Sequence, residues 1–225
     1  ALLRETGRES QIPGLLDALS QRFPDPSDRS CLAGLRADLL TRQAQHLASA
    51  GKLGPAAEHY EKALRLAPDA PWTRFALARI YRELGLPQLG RAVMDDGLAS
   101  ANASSEMRYA AALYRSSIDD LAGAQTALAG IAREARTEGM RALAGRLDAQ
   151  QALQHARIAF AIGDIDAADR ALDEARAKGG DDPYITASIG ALLIDEGQPD
   201  RGLALMRDWM SRHPRETDAD VRLRY

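Results

Sequence analysis

Cysteine and aromatic residues are scarce in this sequence. The single cysteine, Cys31, excludes an intrachain disulfide. Because Cys31 is followed by Leu32 and Ala33 in a helical context, we expect a buried structural thiol. Three Phe, six Tyr and two Trp are few for the core of a compact domain of 225 residues. Alanine and leucine take their place, and this favours closely packed helices.

Long apolar runs and a dominant charge are missing too. No run approaches the roughly 20 residues that cross a bilayer, so we expect no membrane insertion by this segment. The net charge is −3 with both signs interspersed, which excludes the basic surface typical of nucleic-acid binding. The chain begins without Met and ends at Tyr225 inside a helical pattern, so we interpret it as a piece of a longer protein. Targeting signals therefore say nothing about its compartment.

The motifs of the common enzyme classes are absent from the sequence. There is no G-x-S-x-G, no Walker loop, no H-E-x-x-H and no paired C-x-x-C. Acid pairs such as Asp119-Asp120 and Asp181-Asp182 lie within or beside predicted helix ends, where solvated charge or capping explains them. The histidines lack metal-ligand spacing: His46, His59, His155 and His213. For His155, at a core-type position, we expect a buried imidazole. The sequence thus predicts no catalytic residue, no metal and no cofactor.

Small residues recur with a period of 34. Gly51 and Gly85 are 34 residues apart, and a small residue follows each of them after five positions. This spacing is the signature of a tetratricopeptide array, in which each unit is a pair of antiparallel helices. With Ala37 as position 1, successive units begin at residues 37, 71, 105, 149 and 183.

Two columns of the repeat hold only alanine or glycine, which predicts that the two helices of each hairpin cross most closely there. Position 8 is Ala44, Ala78, Ala112, Ala156 and Gly190, and position 20 is Ala56, Gly90, Ala124, Ala168 and Gly202. Position 15, at the end of the first helix, needs a left-handed residue. It is Gly51, Gly85, Asp119, Gly163 and Gly197. The sequence therefore predicts an all-α fold, a right-handed superhelix of tetratricopeptide helix pairs.

The segment before the first complete unit also reads as helical. Residues 10–23 carry an apolar stripe formed by Leu15, Leu16, Leu19 and Phe23. Pro24 and Pro26 predict a loop over 24–30, with Ser27 or Asp28 as the cap of a long helix at about 29–50.

The period is interrupted once, because the fourth unit starts ten residues late. The additional residues lie in 133–148, where Thr137 is suited to cap an elongated first helix. We expect a bend at about 132–138, and Gly139 and Gly145 weaken the helix that follows. The predicted organisation is a helical segment over 1–36, three units over 37–138, a helical insert and candidate hinge at 139–148, two units over 149–216, and the start of a further helix at 217–225.

Several segments within about 30–150 resemble one family more narrowly. They are Pro71-Trp72 with Arg74, Leu77-Ala78-Arg79, Met94-Asp95, Arg108-Tyr109-Ala110, and Arg136-Thr137 followed by Met140. This set resembles the periplasmic tetratricopeptide-repeat region of the C component of bacterial cellulose synthase, an exopolysaccharide export protein. Asn102 departs from it, since proline is usual at that position, and residues 150–225 match only as ordinary repeats.

The resemblance implies a non-catalytic periplasmic scaffold for cellulose synthesis and exopolysaccharide export. It also implies attachment to an outer-membrane barrel in the full-length protein. The implied partners are other subunits of the cellulose synthase complex, with the glucan chain or peptidoglycan as further ligands. Two alternatives stay open, namely a peptide-binding adaptor and the accessory arm of an enzyme whose catalytic domain lies elsewhere.

The candidate ligand-binding residues follow from the repeat register. In a tetratricopeptide superhelix, positions 2, 5, 9 and 12 of each first helix line the concave surface. Here these positions include Trp72, Phe75, Arg79, Arg82, Tyr109 and Tyr184. Aromatic rings stack on the C–H faces of sugars or on peptides, and arginine donates hydrogen bonds in a fixed fork. Alternatively, the rings of Trp72, Phe75 and Tyr109 only pack on the preceding hairpin.

Overall fold

The computed structural model describes residues 12–22, 25–100 and 103–213, and its regular secondary structure in these ranges is helical. Its helices are α1 (Ile12–Arg22), α2 (Pro26–Ser49), α3 (Leu53–Leu66), α4 (Pro71–Glu83), α5 (Pro87–Leu98), α6 (Ser105–Ser116), α7 (Leu121–Ala129), α8 (Glu138–Ala161), α9 (Ile165–Gly179), α10 (Pro183–Asp195) and α11 (Pro199–Arg212). The described residues contain no strand, and the all-α prediction is confirmed. Residues 1–9, Phe23, Pro24, Asn102 and the helix predicted at 217–225 lie outside these ranges.

Four of the five helix pairs that the repeat predicts are packed hairpins. Packed hairpins are formed by α2 with α3, α4 with α5, α8 with α9, and α10 with α11. The second helix of a unit also packs on the first helix of the next, as seen for α3 with α4, α7 with α8, and α9 with α10. This is the nearest-neighbour packing of a repeat protein.

The start of α2 differs from the prediction. The loop expected over 24–30 is shorter, because α2 begins at Pro26, with Asp25 at the cap position. A proline at the first position of a helix loses no hydrogen bond, and its fixed φ angle suits the helix. Pro26 therefore begins this helix and does not keep it from forming.

The two small-residue columns are buried, and in the second and fifth units they lie where the hairpin helices cross, as predicted. Every alanine in these columns is 0% exposed, and Gly90, Gly190 and Gly202 leave no room for a Cβ. A Cβ added to Gly90 would lie 2.7 Å from the carbonyl oxygen of Ala78, and one added to Gly202 would lie 2.6 Å from that of Gly190. Position 20 thus touches the backbone of position 8 directly, so even a methyl group is too large at these glycines.

The turn column adopts the left-handed conformation at all five positions. Gly51, Gly85, Gly163 and Gly197 have φ between 73° and 77°, and Asp119 has φ 59°. Asp119 is the one residue of this column that carries a Cβ, and short polar side chains tolerate this region better than others. Each turn of the repeat therefore contains one residue in the left-handed conformation.

The chain divides into two compact units, residues 1–114 and 115–225, with the division inside α6. In the first unit, an apolar cluster joins Ala44, Ala57, Tyr60, Leu77 and Ile80. In the second, a larger cluster joins helices α8, α9 and α10 through residues such as Leu153, Leu172 and Ile189. The large apolar residues at position 24 of the repeat are all buried: Tyr60, Met94, Leu128, Leu172 and Met206.

A short connection between α7 and α8 fixes where both helices end. The Arg136 guanidinium donates to the carbonyls of Leu128 and Ile131 at the end of α7, at 2.9 and 3.2 Å. The Thr137 hydroxyl accepts from the Met140 amide at the start of α8, as predicted for this cap. Adjacent residues therefore terminate one helix and begin the next.

The elongated first helix of the fourth unit is confirmed, since α8 has 24 residues. Gly145 has a packing role in it, because an added Cβ would lie 2.7 Å from the carbonyl oxygen of Lys178 near the end of α9. The helices approach more closely there than a side chain allows. The bend expected at 132–138 stays a prediction.

Candidate functional site

Three of the predicted ligand-binding residues form one aromatic cluster in the first compact unit. The Trp72 ring meets the Phe75 ring edge to face, with centroids 6.1 Å apart and an interplanar angle of 82°. It meets the Tyr109 ring in the same way, at 5.9 Å and 86°. These geometries are favoured because the positive edge of one ring faces the negative face of another. The cluster joins α4 to α6.

Trp72 is the exposed member of this cluster. Its side chain lies at the second position of α4, after Pro71, and 46% of it remains exposed. Phe75 and Tyr109 are half-buried and hold the indole from two sides. The packing alternative therefore explains Phe75 and Tyr109 in part, whereas Trp72 keeps a free surface that a ligand can cover.

The predicted arginines lie on the same stripe of α4 as the rings. Arg79 is exposed, and its Nη2 lies 3.9 Å from Glu83 Oε1 one turn further along the helix. Arg82 is half-buried, and its charge acts on the Tyr114 hydroxyl, whose pKa is raised by burial and lowered in part by this arginine. We call Trp72, Phe75, Arg79 and Arg82 with Tyr109 the inner stripe.

Tyr184 belongs to the second compact unit and is described separately. It follows Pro183 at the start of α10, and its side chain is 45% exposed. The side chain of Asp182 caps this helix by accepting from the Tyr184 and Ile185 amides. Tyr184 thus has the exposure that a binding residue needs, and its binding role stays a prediction.

Arg74 has a structural role that the sequence analysis did not assign. Its side chain is only 11% exposed. The guanidinium donates to the Pro68 carbonyl at 3.0 Å, to the Val93 carbonyl at 2.9 Å and to the Asp96 carboxylate at 3.0 Å. One side chain on α4 therefore ties the end of α3 to α5 by charge-assisted hydrogen bonds.

A groove of about 600 Å³ lies beside Arg74, with Leu64, Leu77 and Val93 among its apolar lining residues. Its polar lining groups are already used within the protein. The Tyr81 hydroxyl donates to Glu61 at 2.7 Å, and burial together with this hydrogen bond raises the Tyr81 pKa to about 12. This groove could therefore bind a ligand through apolar contacts, but it has few free polar groups that could recognise one.

A similar pair of smaller grooves separates α9 from α11 in the second unit, with volumes of about 320 and 380 Å³. Ion pairs cross them, among them Arg201 with Asp169 at 2.9 Å and Arg212 with Asp181 at 2.6 Å. The hydrogen bond from Arg212 lowers the pKa of the Asp181 carboxyl, and the same contact raises the pKa of Arg212. These charged side chains around the grooves are therefore paired with one another in ion pairs.

Two sequence-based expectations about burial are wrong. The thiol of Cys31 is exposed, although its neighbour Leu32 is buried. His155 is exposed on α8, where a buried imidazole was expected. The expectation that acid pairs act as caps is confirmed for Asp120, which accepts from the Gly123 amide, and for Asp182 on α10.

Neither a metal-binding cluster nor a membrane span occurs within the described ranges. No three His, Cys, Asp or Glu side chains of the described residues lie together as metal ligands would. Among the described helices, none has the length and apolar character required to cross a bilayer.

Comparison with known proteins identifies the repeat and its relatives. A family model for the tetratricopeptide repeat matches residues 47–114. Cellulose synthase operon protein C of Xanthomonas axonopodis pv. citri is 30% identical over 207 residues, covering 91% of this chain. The protein of the same name from Pseudomonas fluorescens is 28% identical over 241 residues, covering 100% of this chain. The chain spans only 14% and 18% of the lengths of these two relatives.

A solved structure supports the fold alone. The chain is similar to a tetratricopeptide repeat protein from Parabacteroides merdae, with a TM-score of 0.53 and 18% identity over 93% of this chain and 75% of that one. The tetratricopeptide fold is a protein-interaction module, which presents side chains of stacked helices to a partner. This chain is therefore an all-α tetratricopeptide-repeat protein, similar in sequence to a part of cellulose synthase operon protein C.

Proposed function

We propose that this segment is a non-catalytic scaffold of the cellulose synthesis and export machinery and that it works in the periplasm. The observation that carries the proposal is its similarity to two operon C proteins over nearly the whole chain. An interaction module in such a protein is suited to hold other subunits of the synthase complex. We also propose that the inner stripe contacts the glucan chain, with peptidoglycan as an alternative polysaccharide.

The exposed indole of Trp72 supports the glucan contact. A β-linked glucan presents flat C–H faces to an aromatic ring, and an indole fixed by Phe75 and Tyr109 loses little entropy on binding. Arg79, two turns along α4, is placed to donate hydrogen bonds to sugar hydroxyls. The site is thus a platform with a polar rim.

Cellohexaose is expected to quench or shift the fluorescence of Trp72 on titration. The chain has two tryptophans, and Trp209 is only 2% exposed, with its Nε1 donating to the Asp181 carbonyl. A Trp209→Phe background leaves Trp72 as the sole reporter. In the wild-type background, Trp72→Ala is expected to weaken binding about tenfold in calorimetry, because one stacked ring is lost.

Two controls separate binding from folding in this experiment. Far-UV circular dichroism of Trp72→Ala is expected to match the wild type, since the side chain is half exposed. Leu89→Ala, which removes a 47% exposed apolar side chain from α5, is expected to leave affinity unchanged. If cellohexaose does not bind, or binds Trp72→Ala as tightly, the glucan contact is excluded, and binding of an extended peptide at the same stripe would favour the adaptor alternative.

The periplasmic location is tested through Cys31, whose thiol is exposed on α2. In intact cells expressing the full-length protein, we expect a maleimide that cannot cross the inner membrane to label this cysteine. Cys31→Ser is the matched control and identifies the labelled site. Labelling that appears only after cell lysis would place the segment elsewhere and contradict this part of the proposal.

A further inference from the structure

One face of α8 is exposed, although the same face is buried in three of the other four units; in the first unit, Gln43 and His46 at positions 7 and 10 are exposed as well. Positions 3, 7 and 10 of the first helix are buried in three units: Thr73, Leu77 and Ile80, then Met107, Ala111 and Tyr114, then Ile185, Ile189 and Leu192. In the fourth unit the same positions are Gln151, His155 and Ile158, and all three are exposed. Ile162 continues this stripe one turn further, at position 14, which is also exposed at Leu84 and Glu196 in other units.

The covering element in the other units is the second helix of the preceding unit. Leu77 and Ile80 cluster with Ala57 and Tyr60 of α3. In the fifth unit, Ile185, Ile189 and Leu192 cluster with Ala168, Leu172 and Ala175 of α9. In both cases, an amphipathic helix places alanines and one larger side chain against large apolar residues.

The corresponding helix before α8 is α7, which is short and displaced. It has 9 residues, whereas α3 and α9 have 14 and 15. The Gln125 amide donates to Gln151 at 2.8 Å and lies 3.4 Å from Asp148, which precedes the repeat part of α8. The equivalent residue of α3, Ala57, clusters instead with positions 7 and 10. Thus α7 packs nearer the start of α8 and leaves His155 and Ile158 uncovered.

The bare face is strongly apolar at its far end. Ile162 is 74% exposed and Ile158 is 61% exposed, and these are the highest values among the large apolar side chains of the described residues. Ile165, the first residue of α9, is 48% exposed and extends the same surface. Exposed isoleucines one turn apart cost free energy in water, which a covering partner recovers.

We propose that the face formed by His155, Ile158 and Ile162 is a docking site for an amphipathic α-helix of a protein partner. The partner helix occupies the place that the second helix of a preceding unit occupies elsewhere in the array. The backbone groups of α8 are bonded within the helix, so an added strand has no edge to pair with, and side-chain packing is the mode of binding.

The occupant is a complementary helix and not a second copy of the same face. In the two clusters described above, large apolar residues pack together with alanines of the adjacent helix: Ile80 shares one cluster with Ala57, and Ile189 shares the other with Ala175. The bare face has two isoleucines and a histidine, and two copies of it would bring large side chains against large ones. A stripe of alanines with one leucine is the chemistry that fits.

The chain itself supplies the probe. A labelled peptide with the sequence of α9, residues 165–179, carries the stripe Ala168, Leu172 and Ala175. Titrated with the whole chain in fluorescence anisotropy, it is expected to bind saturably. Ile162→Asp and, separately, Ile158→Asp are expected to weaken this binding at least about tenfold, since each loses the burial of one isoleucine. Leu89→Asp, at a 47% exposed position of the first unit, is the matched control and is expected to bind as the wild type does.

Three outcomes would overturn the proposal. One is the absence of saturable binding up to about 1 mM peptide, beyond which affinity is negligible. Another is equal binding by the wild type and by both isoleucine variants, with unchanged circular dichroism. The third is a wild-type dimer in sedimentation velocity that Ile162→Asp abolishes, because it would make a second copy the occupant. The glucan experiment reads out Trp72 in the first unit, so its result does not decide this one.

Discussion

Replacing Gly90 with alanine is expected to destabilise the chain by about 3 kcal/mol, the upper range for an overpacked site. The added Cβ would lie 2.7 Å from the Ala78 carbonyl oxygen and would also collide with the Tyr114 hydroxyl. Tyr114 is 0% exposed and donates to the Pro87 carbonyl, so it has little room to move. The helices of the hairpin would have to separate, and the contacts around the crossing would loosen together.

Urea unfolding followed by circular dichroism measures this effect, and Gly54→Ala is its control. Gly54 is also helical, in α3, but an added Cβ there meets nothing within 4 Å. Alanine has the higher helix propensity, so Gly54→Ala is expected to be neutral or to stabilise by up to about 1 kcal/mol. Adding Tyr114→Phe to Gly90→Ala is expected to restore little, because the collision with the Ala78 backbone remains. Equal unfolding midpoints for the two alanine variants would refute the close crossing.

Replacing Arg74 with alanine is expected to cost about 3 kcal/mol of the free energy of unfolding. The change leaves the Pro68 and Val93 carbonyls without this donor and opens a space where an 11% exposed side chain was packed. Asp96 loses its ion pair, but it is 75% exposed, and water solvates it at small cost. The penalty therefore comes mainly from the two carbonyls and the lost packing.

Thermal and urea unfolding of Arg74→Ala and Arg74→Lys test this role. Lysine keeps the charge, but its single ammonium lacks the planar fork that spans three acceptors, so we expect only partial recovery. Arg65→Ala is the matched control. The Arg65 side chain is 65% exposed and lies 3.9 Å from Glu61, and such a surface pair is worth less than about 1 kcal/mol. If Arg65→Ala and Arg74→Ala unfold alike, Arg74 does not join α3 to α5.

The hairpin geometry could be predicted from the sequence because it depends on local, repeated constraints. A residue that must be small, such as Ala78 or Ala156, recurs at each crossing, and a left-handed residue recurs at each turn. Such constraints act over short stretches of chain within one hairpin, and successive units repeat them. Even Asp119, which is not a glycine, was identified by its place in the column.

Burial of single side chains was harder to predict. Cys31 was expected inside because its neighbours are apolar, but adjacent residues of a helix point about 100° apart. Leu32 faces the core, whereas Cys31 shares an exposed stripe with Leu35, which is 46% exposed, and Asp38. Periodicity at i, i+4 and i+7 was the signal that could have corrected this expectation.

The error at His155 has a different cause. Position 7 is buried in units whose predecessor is regular, and the repeat register carried that expectation into the fourth unit. Whether position 7 is covered depends on where along α8 the preceding helix α7 packs. The hydrogen bond between Gln125 and Gln151 shows this packing position, and it is visible only in the structure. The ten additional residues before the fourth unit indicated that the repeat is interrupted there, but they did not indicate which face of α8 would be exposed.

The residues that carried the family resemblance are mainly structural. Arg74 joins helices, Arg136 closes the end of α7, and Thr137 begins α8. Trp72 alone among the quoted residues combines a fixed ring with a large exposed surface. The motif therefore indicates how the hairpins are joined. It does not indicate which side chains are exposed, and so it supports the predicted ligand-binding residues less directly.

The close crossings have a consequence for sequence divergence. A fold that depends on one small residue in each helix and one left-handed residue in each turn restricts only a few positions per repeat. The outward surface of each hairpin is then free to change charge and shape without loss of the scaffold. Proteins with as little as 18% sequence identity can therefore keep the same fold.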